Sequence, residues 1–211
     1  MNGEKMRFRM PNAPVKEMRR FVAMISILII TTGCAGNYEL IKAASSSARH
    51  DVFQEIAPGA APVPGYADLR INSTLKTHHP GMYSAKDIHG TTDYKIILNI
   101  DGQAAGLYAH LRGENIDCGA FNDPEAVEGI RYHFSKSIRI KAGTHRVIIA
   151  IPADGLVVER EITLPEGSCN SLTLEPVYRS APAQRRPGFY GATSFTEGLK
   201  GLRLILNGKL L

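Results

Sequence analysis

Short segments in which apolar and polar residues alternate recur from Tyr66 onwards, and they restrict the possible folds more than any other feature. In the first segment Leu69, Ile71, Ser73 and Leu75 alternate with other residues, which is the pattern of a strand with one buried face. Short strands separated by turn residues every 8–12 residues or so are typical of a sandwich or barrel, and we expect a mostly β chain folded as an antiparallel β-sandwich. Further strands are predicted over residues 94–100, 104–111, 130–134, 137–141, 144–151, 157–164 and 171–178.

The dipeptide Asp101-Gly102 gives the clearest turn between two of these strands. A type I′ turn needs positive φ at both central residues, and Asp-Gly is among the pairs that adopt it most readily. We therefore expect the strands over 94–100 and 104–111 to form a hairpin.

Residues 112–129 interrupt the strand pattern. Asp123 stands where a helix N-cap is expected, Pro124 at the first helical position and Gly129 at the exit, so a short helix is predicted over 123–128. The β-sandwich domain is accordingly assigned to residues 66–179, with 112–129 as an insertion. Residues 180–211 are expected to form a loop followed by a candidate strand over 202–206.

The first 33 residues differ in composition from the rest of the chain. Six basic residues precede an uncharged apolar run over residues 21–30, and small residues follow it, as in a secretory signal. Ten helical residues rise only about 15 Å, roughly half the hydrocarbon thickness, so this run is too short to remain as a membrane span. We predict a signal helix within residues 1–33 and a flexible tether over 34–65, which is rich in Ala, Ser, Pro and Gly.

The tetrapeptide Thr31-Thr32-Gly33-Cys34 resembles the lipobox of bacterial lipoproteins, in which a small residue precedes an obligatory cysteine. Members of that family usually have an aliphatic residue where this chain has Thr31. The resemblance implies cleavage before Cys34, a lipid on its thiol and attachment to a membrane. Ala35 after the cysteine implies the outer membrane rather than the inner membrane. The alternative is an ordinary secreted protein with a free cysteine near its start.

Two stretches of the predicted domain resemble PEGA-like domains, small β-sandwiches found in surface and envelope proteins. Residues 96–102 end in Asp101-Gly102, and residues 138–147 contain the run Ala142-Gly143-Thr144-His145-Arg146-Val147. The insertion over 112–129 departs from the family pattern. The resemblance covers less than half of the chain and implies an immunoglobulin-like sandwich with a binding or architectural role and no catalytic residues.

Charge gives no reason to expect a nucleic-acid partner. The chain has a formal net charge of +5, but the predicted signal contains six basic and only two acidic residues. The remainder is therefore close to neutral, and it has no basic stripe with interleaved aromatic residues.

Cys118 and Cys169 remain once Cys34 is assigned to the lipid. In an oxidising compartment two such cysteines favour one disulfide, which would close a loop of about 50 residues and contribute about 4 kcal/mol in the chain-entropy model. The alternative is two buried free thiols.

The residues His78, His79 and His89 are the only candidates for a transition-metal site. Adjacent residues can reach one ion only from a loop, which Pro80-Gly81 makes plausible. We recognise no carboxylate or cysteine at ligand spacing, so no metal and no cofactor is assigned. The alternative interpretation is an exposed polar turn.

The other histidines have structural interpretations. His145 is expected to pack against the hairpin and bond a backbone carbonyl, while His110 and His133 lie on predicted strands and face each other. The sequence has no Gly-x-Ser-x-Gly elbow, no phosphate-binding glycine loop and no His-Glu-x-x-His motif, and no catalytic residue is assigned.

Taken together, these features predict a non-enzymatic, lipid-anchored envelope protein that binds or scaffolds another envelope component. Its partners would be the membrane, through Cys34, and an envelope protein that adds a strand to an exposed sheet edge. Tyr108, Tyr132 and Phe134 are candidate aromatic anchors for that partner or, alternatively, core residues. The alternative function is a periplasmic protein that binds a small ligand or metal ion through its histidines.

Overall fold

A computed structural model describes residues 32–57, 59–61, 63–81, 84–114, 123–126, 128–180 and 193–211. The chain divides into two compact units, Met1–Gly36 and Asn37–Leu211, and every strand among the described residues belongs to the second. The signal predicted for residues 1–33 lies almost entirely outside the described residues.

The described residues form one α-helix, α1 (Thr32–Ser45), and strands numbered in chain order. Two short 3-10 turns, Pro152–Asp154 and Phe195–Glu197, lie between strands. The strands are β1 (Phe53–Glu55), β2 (Tyr66–Thr77), β3 (Ile96–Ile100), β4 (Gln103–Leu107), β5 (Ala109–Glu114), β6 (Gly129–Lys141), β7 (Gly143–Ile151), β8 (Leu156–Leu164), β9 (Cys169–Tyr178), β10 (Leu199–Leu206) and β11 (Lys209–Leu210).

A seven-stranded sheet has the order β1-β6-β2-β9-β10-β11, with β5 pairing β6 beside β1. Strands β1 and β5 both pair with the same edge of the long strand β6. Strand β1 pairs near Ile140, and β5 pairs near Phe134. The predicted strands over 130–134 and 137–141 are thus one continuous strand, because no turn residue separates them. The β2–β9 pair is parallel, which corrects the expectation of a wholly antiparallel arrangement.

A four-stranded antiparallel sheet has the order β4-β3-β7-β8. The β3–β4 hairpin turns at Asp101 and Gly102, whose φ angles of 48° and 91° are both positive, as the sequence predicts. Chain reversal between β7 and β8 uses Gly155 at φ 62°. The chain passes from β4 of this sheet directly to β5 of the other, with only Tyr108 between them, so the single strand predicted over 104–111 is wrong and only its first part pairs with β3.

One hydrophobic core contains side chains from both sheets. In β2 the buried residues Leu69, Ile71 and Leu75 alternate with more exposed ones, which confirms the period-two pattern read from the sequence. They share the core with Leu98 of β3 and Ile149 of β7. The chain is therefore mostly β, with two sheets around a common apolar interior and one short helix.

The opposite face of β3 and β7 is also apolar, and α1 packs on it. Ala44 of α1 is fully buried and forms a second cluster with Ile97, Ile148 and Ala150, against which Ile41 also packs. None of the helices among the described residues is long and apolar enough to cross a membrane.

Packed structure begins upstream of the predicted domain start at Tyr66, which corrects the expected tether over 34–65. Helix α1 occupies its first part, and Phe53 of β1 is buried and pairs with Ile140. The Gln103 side chain holds this segment by accepting hydrogen bonds from the Val52 and Phe53 amides at 2.7 and 3.1 Å. An Ala- and Ser-rich composition does not prevent packing where a few apolar residues find a partner surface.

The insertion over 112–129 also differs from the prediction. Its first residues continue β5 to Glu114, and residues 123–126 form a single turn instead of the expected helix over 123–128. Asp123 does act as a cap, since its Oδ1 accepts a 2.8 Å hydrogen bond from the Glu125 amide. The candidate strand over 202–206 is confirmed within β10.

Candidate functional site

Three side chains between β2 and β3 bring two imidazoles and a carboxylate together. His78 follows the last residue of β2, while Asp87 and His89 come from consecutive turns over residues 84–92. Their potential ligand atoms all lie within 4.8 Å of one another. We call these three residues the His-Asp-His cluster.

Asp87 is the centre of the cluster, because it contacts both rings. Its Oδ2 lies 2.5 Å from Nε2 of His78, and its Oδ1 lies 2.5 Å from Nδ1 of His89. The backbone amide of His89 also donates to Oδ1 of Asp87 at 3.0 Å. The carboxylate is therefore oriented by both rings and by the main chain.

The far side of the His89 ring faces a second carboxylate. Nε2 of His89 lies 3.4 Å from Oδ1 of Asp154, which belongs to the 3-10 turn after β7. Tyr94 donates from its hydroxyl to Oδ2 of Asp154 at 2.8 Å. The His89 ring also lies between the rings of His78 and Tyr94, with centroids at 4.9 and 5.2 Å.

The local sequence fixes the segment that carries the cluster. The Gly90 amide donates to the Thr77 hydroxyl at 3.1 Å. Gly90 has φ 76°, and a Cβ there would lie 2.6 Å from Cδ of Pro80, so only glycine fits this close approach. The Tyr132 hydroxyl donates to the Thr91 carbonyl at 2.8 Å and ties the same segment to β6.

The protonation of the cluster follows from these contacts. Burial acts to raise the pKa of Asp87, but hydrogen bonds from His78 and His89 outweigh it and hold that pKa well below its usual value. The hydrogen bond to Asp154 raises the pKa of His89, and Asp87 adds to the effect. Burial raises the pKa of Tyr94 well above its usual value, so its phenol remains a neutral donor.

The cluster borders a cavity of about 200 Å³. His78, His89 and Asp154 line one side of it, and residues 195–199 line another. The cluster side chains are between 11% and 19% exposed, so they are largely shielded from solvent. The cavity adjoins both imidazole side chains of the cluster.

Of the histidines proposed from sequence, His78 and His89 meet and His79 does not. The His79 ring is 39% exposed, and its Nε2 pairs with Glu128 at 3.3 Å, away from the cluster. The expectation that no carboxylate lies at ligand spacing is wrong, because Asp87 lies between the two rings.

The contacts expected of the other histidines are observed. Nε2 of His145 donates to the Lys141 carbonyl at 2.7 Å, while Nδ1 lies 2.7 Å from Oδ2 of Asp101 in the hairpin. His110 and His133 are directly opposite each other on β5 and β6.

The aromatic residues named as anchors have different environments. Tyr132 and Phe134 are buried core residues, at 0% and 2% exposure, whereas Tyr108 is 70% exposed. Only Tyr108 is therefore available to a partner.

The cysteines are only partly described. Cys34 lies within α1, and the structure describes the side chains of this helix only from Asn37 onwards. Cys169 is exposed and begins β9. Cys118 lies outside the described residues, so its pairing with Cys169 stays a prediction.

A second polar cluster, formed around Lys76, lies next to the same cavity. The Lys76 side chain is only 2% exposed, and its Nζ donates to Glu114 at 3.3 Å and to the Glu125 carbonyl at 2.9 Å. Arg131 bridges Glu114, at 2.7 Å, and Glu125. The Tyr178 hydroxyl donates to Glu125 at 2.5 Å. These charges are mutually satisfied, which fits a structural role.

Sequence reasoning missed Asp87, Asp154 and Tyr94. Asp87 carries a local signal, since it stands two residues before His89 in a segment already recognised as a loop. Asp154 is separated from His89 by 65 positions, and it reads in the sequence only as a turn residue.

Comparison with known proteins adds no family to this geometry: no protein-family model, no curated protein and no solved structure matches the chain.

Proposed function

We propose that this chain is a non-enzymatic, lipid-anchored envelope protein whose β-rich domain binds or scaffolds another envelope component. The observation that carries the proposal is the order of a basic segment, a short apolar run and Cys34 in a lipobox-like tetrapeptide. Ala35 favours the outer membrane.

The finer fold belongs to the same proposal: a β-sandwich of the PEGA-like or immunoglobulin-like kind. Three observations support it. The two sheets contribute to one core, the Asp101-Gly102 turn joins β3 and β4, and His145 contacts Asp101 from the start of β7. The resemblance to PEGA-like domains implies a binding or architectural role at the cell envelope, which agrees with the anchor.

The anchor is tested by expressing the full chain and its Cys34→Ala variant in a bacterium that processes lipoproteins. The wild type should incorporate labelled palmitate and sediment with outer membranes, whereas Cys34→Ala should lose both properties. Cys169→Ala is the matched control, because it removes a cysteine outside the tetrapeptide and should retain both the label and the membrane fraction. A Cys34→Ala variant that is still labelled and still sediments would contradict the proposal.

An open sheet edge supports binding to a protein partner. Among the described strands, β8 pairs only with β7, so its other edge presents unpaired main-chain groups. A photo-crosslinker at the exposed position Glu161 of β8 should trap one discrete adduct in whole cells, while one at the exposed Arg70 of β2, a strand paired on both sides, should not. Equal adducts from both positions, or none from either, would count against partner binding at this edge.

A second function, binding of a metal ion or small ligand in the envelope, is favoured by one specific observation. The side chains of the His-Asp-His cluster converge beside a cavity, although no sequence motif of the chain requires them to converge. Elemental analysis of the full-length protein, purified in detergent without chelators, tests this function. A bound ion at close to one equivalent per chain supports it, and a metal-free protein that takes up no added ion contradicts it.

A further inference from the structure

We infer that His78, Asp87 and His89 bind one divalent transition-metal ion, with Asp154 and Tyr94 positioning the His89 ring. This inference rests on the second proposed function and specifies its ligands and its metal class. The donor atoms are Nε2 of His78, a carboxylate oxygen of Asp87 and Nδ1 of His89, which converge within 4.8 Å.

The donor set selects the kind of ion. Two imidazole nitrogens and one carboxylate oxygen suit zinc and its neighbours in the first transition series, whereas calcium and magnesium prefer sites built from oxygen ligands alone. Three protein ligands also leave at least one position for water or an exogenous ligand. The adjoining cavity, lined by His78, His89 and Asp154, can accommodate that group.

The contacts behind His89 are those that a metal-binding histidine uses. Ligating histidines almost always donate from their second nitrogen to a carboxylate or carbonyl, which fixes the tautomer and the ring plane. Here Nε2 of His89 faces Asp154 at 3.4 Å, and the Tyr94 hydroxyl holds Asp154 at 2.8 Å. Nδ1 is thereby directed towards Asp87 and His78.

Ion binding requires only a small rearrangement. The two contacts of Asp87 with the rings measure 2.5 Å, whereas ligand atoms around a tetrahedral zinc ion lie about 3.3 Å apart for bonds near 2.0 Å. The Asp87 carboxylate must therefore retreat by about 1 Å, and the two ring nitrogens, which lie within 4.8 Å of each other, must come to the same spacing to hold the ion. Asp87 stands in a turn between exposed neighbours, Lys86 and Ile88, so this movement disturbs no core packing.

The experiment is a titration of the full-length, chelator-stripped protein in detergent at constant pH. Zinc is the main probe, and calcium, magnesium and cobalt are added in separate titrations. We expect one zinc ion per chain by calorimetry, and no measurable heat of binding for calcium or magnesium. Cobalt should give visible absorption bands of a low-coordinate site with nitrogen ligands.

Three variants locate the site. His89→Ala and Asp87→Asn should each weaken zinc binding by at least 100-fold, while Asp154→Asn should weaken it by about 10- to 100-fold, as expected of a positioning residue. His79→Ala is the matched control, because it removes the neighbouring histidine outside the cluster and should bind like wild type. Circular dichroism of each apo variant verifies that the β fold is intact. If His89→Ala fails to fold, Asp87→Asn still tests the site, because it retains the size of the side chain.

The outcomes distinguish the site from the function. A wild type that binds no zinc would overturn both the second proposed function and this site. A wild type that binds zinc with unchanged affinity in folded Asp87→Asn and His89→Ala would leave metal binding in place and overturn the site. Loss of binding in His79→Ala equal to that in His89→Ala would also overturn it.

Discussion

The side-chain amide of Asn99 on β3 donates a 3.3 Å hydrogen bond to the carbonyl oxygen of Ala44 in the last turn of α1. The same Nδ2 lies 3.2 Å from the Ala43 carbonyl and 3.1 Å from that of Ser46. The carbonyls at a helix C-terminus have no partners within the helix, so Asn99 supplies donors from the sheet. Its Oδ1 accepts a hydrogen bond from the Gly102 amide, so one buried side chain links the helix end to the β3–β4 turn.

Asn99→Ala should therefore loosen α1 from the sheet. Removing a buried hydrogen-bonding group while its partners remain costs about 1–3 kcal/mol, and we expect a loss of that size in the free energy of unfolding measured with urea. Asn72→Ala is the control, since Asn72 is half-exposed and accepts a single 3.1 Å hydrogen bond from Ser135. Equal losses for the two variants would show that Asn99 has no special role.

Gly129, the first residue of β6, should not tolerate a side chain. An added Cβ would lie 2.6 Å from the Thr77 carbonyl oxygen and 2.9 Å from the buried ring of Phe195. Overpacking of this kind costs roughly 1–3 kcal/mol, so Gly129→Ala should lower the thermal midpoint. Gly201→Ala on β10 is the matched control, because its Cβ would meet no atom within 4 Å. If the two variants melt together, the predicted close approach at Gly129 is absent.

The sequence predicts the sheets well, because strand formation here depends on local pattern. Alternation in β2 and the Asp101-Gly102 turn are properties of a few consecutive residues, and they specify which face is buried and where the chain reverses. The contact of His145 with the hairpin is predicted from the same kind of local signal, because His145 comes directly after a turn. By contrast, the parallel pairing of β2 with β9 joins residues about 100 positions apart and has no local signature.

The sequence predicts α1 and the His-Asp-His cluster poorly, because both depend on distant surfaces. Ala44 gains its burial from Ile148, more than 100 positions away, so a segment of small residues becomes a docked helix. The cluster depends on turns whose conformation follows no periodicity. Two of its three members could be named from sequence, but Asp154 reaches His89 only through the folded chain.

Glu114 should make stability depend on pH in the acid range. The Arg131 guanidinium, assisted by Lys76, lowers the pKa of Glu114 from 4.5 to about 2. A carboxyl with a lower pKa in the folded state contributes stability that is fully present above pH 4.5 and is lost as the pH falls towards about 2. At 1.4 kcal/mol per pKa unit, and allowing for the partial exposure of Glu114, the contribution is on the order of 2 kcal/mol.

Glu114→Gln isolates this contribution. Urea unfolding of both proteins between pH 7 and pH 2 should show the wild type more stable at neutral pH, with the difference shrinking below pH 4.5. Other carboxyl groups titrate in both proteins and cancel in the difference. A gap that stays constant down to pH 2 would exclude the ion pair with Arg131 as its source.

Asp101 should stabilise the β3–β4 hairpin through its side chain as well as its backbone. Its Oδ1 accepts from the Arg146 amide at 2.9 Å, and its Oδ2 lies 2.7 Å from Nδ1 of His145. Asp101→Ala loses both contacts and places alanine at φ 48°, so we expect a loss of about 2–4 kcal/mol. Asp101→Asn should lose much less, because asparagine tolerates positive φ and its amide oxygen can still accept from the Arg146 amide. Urea unfolding gives the two losses, and hydrogen exchange at the Arg146 amide should accelerate in Asp101→Ala alone. If asparagine and alanine prove equally destabilising, the charge on Asp101 and not its hydrogen-bonding geometry holds the turn to β7.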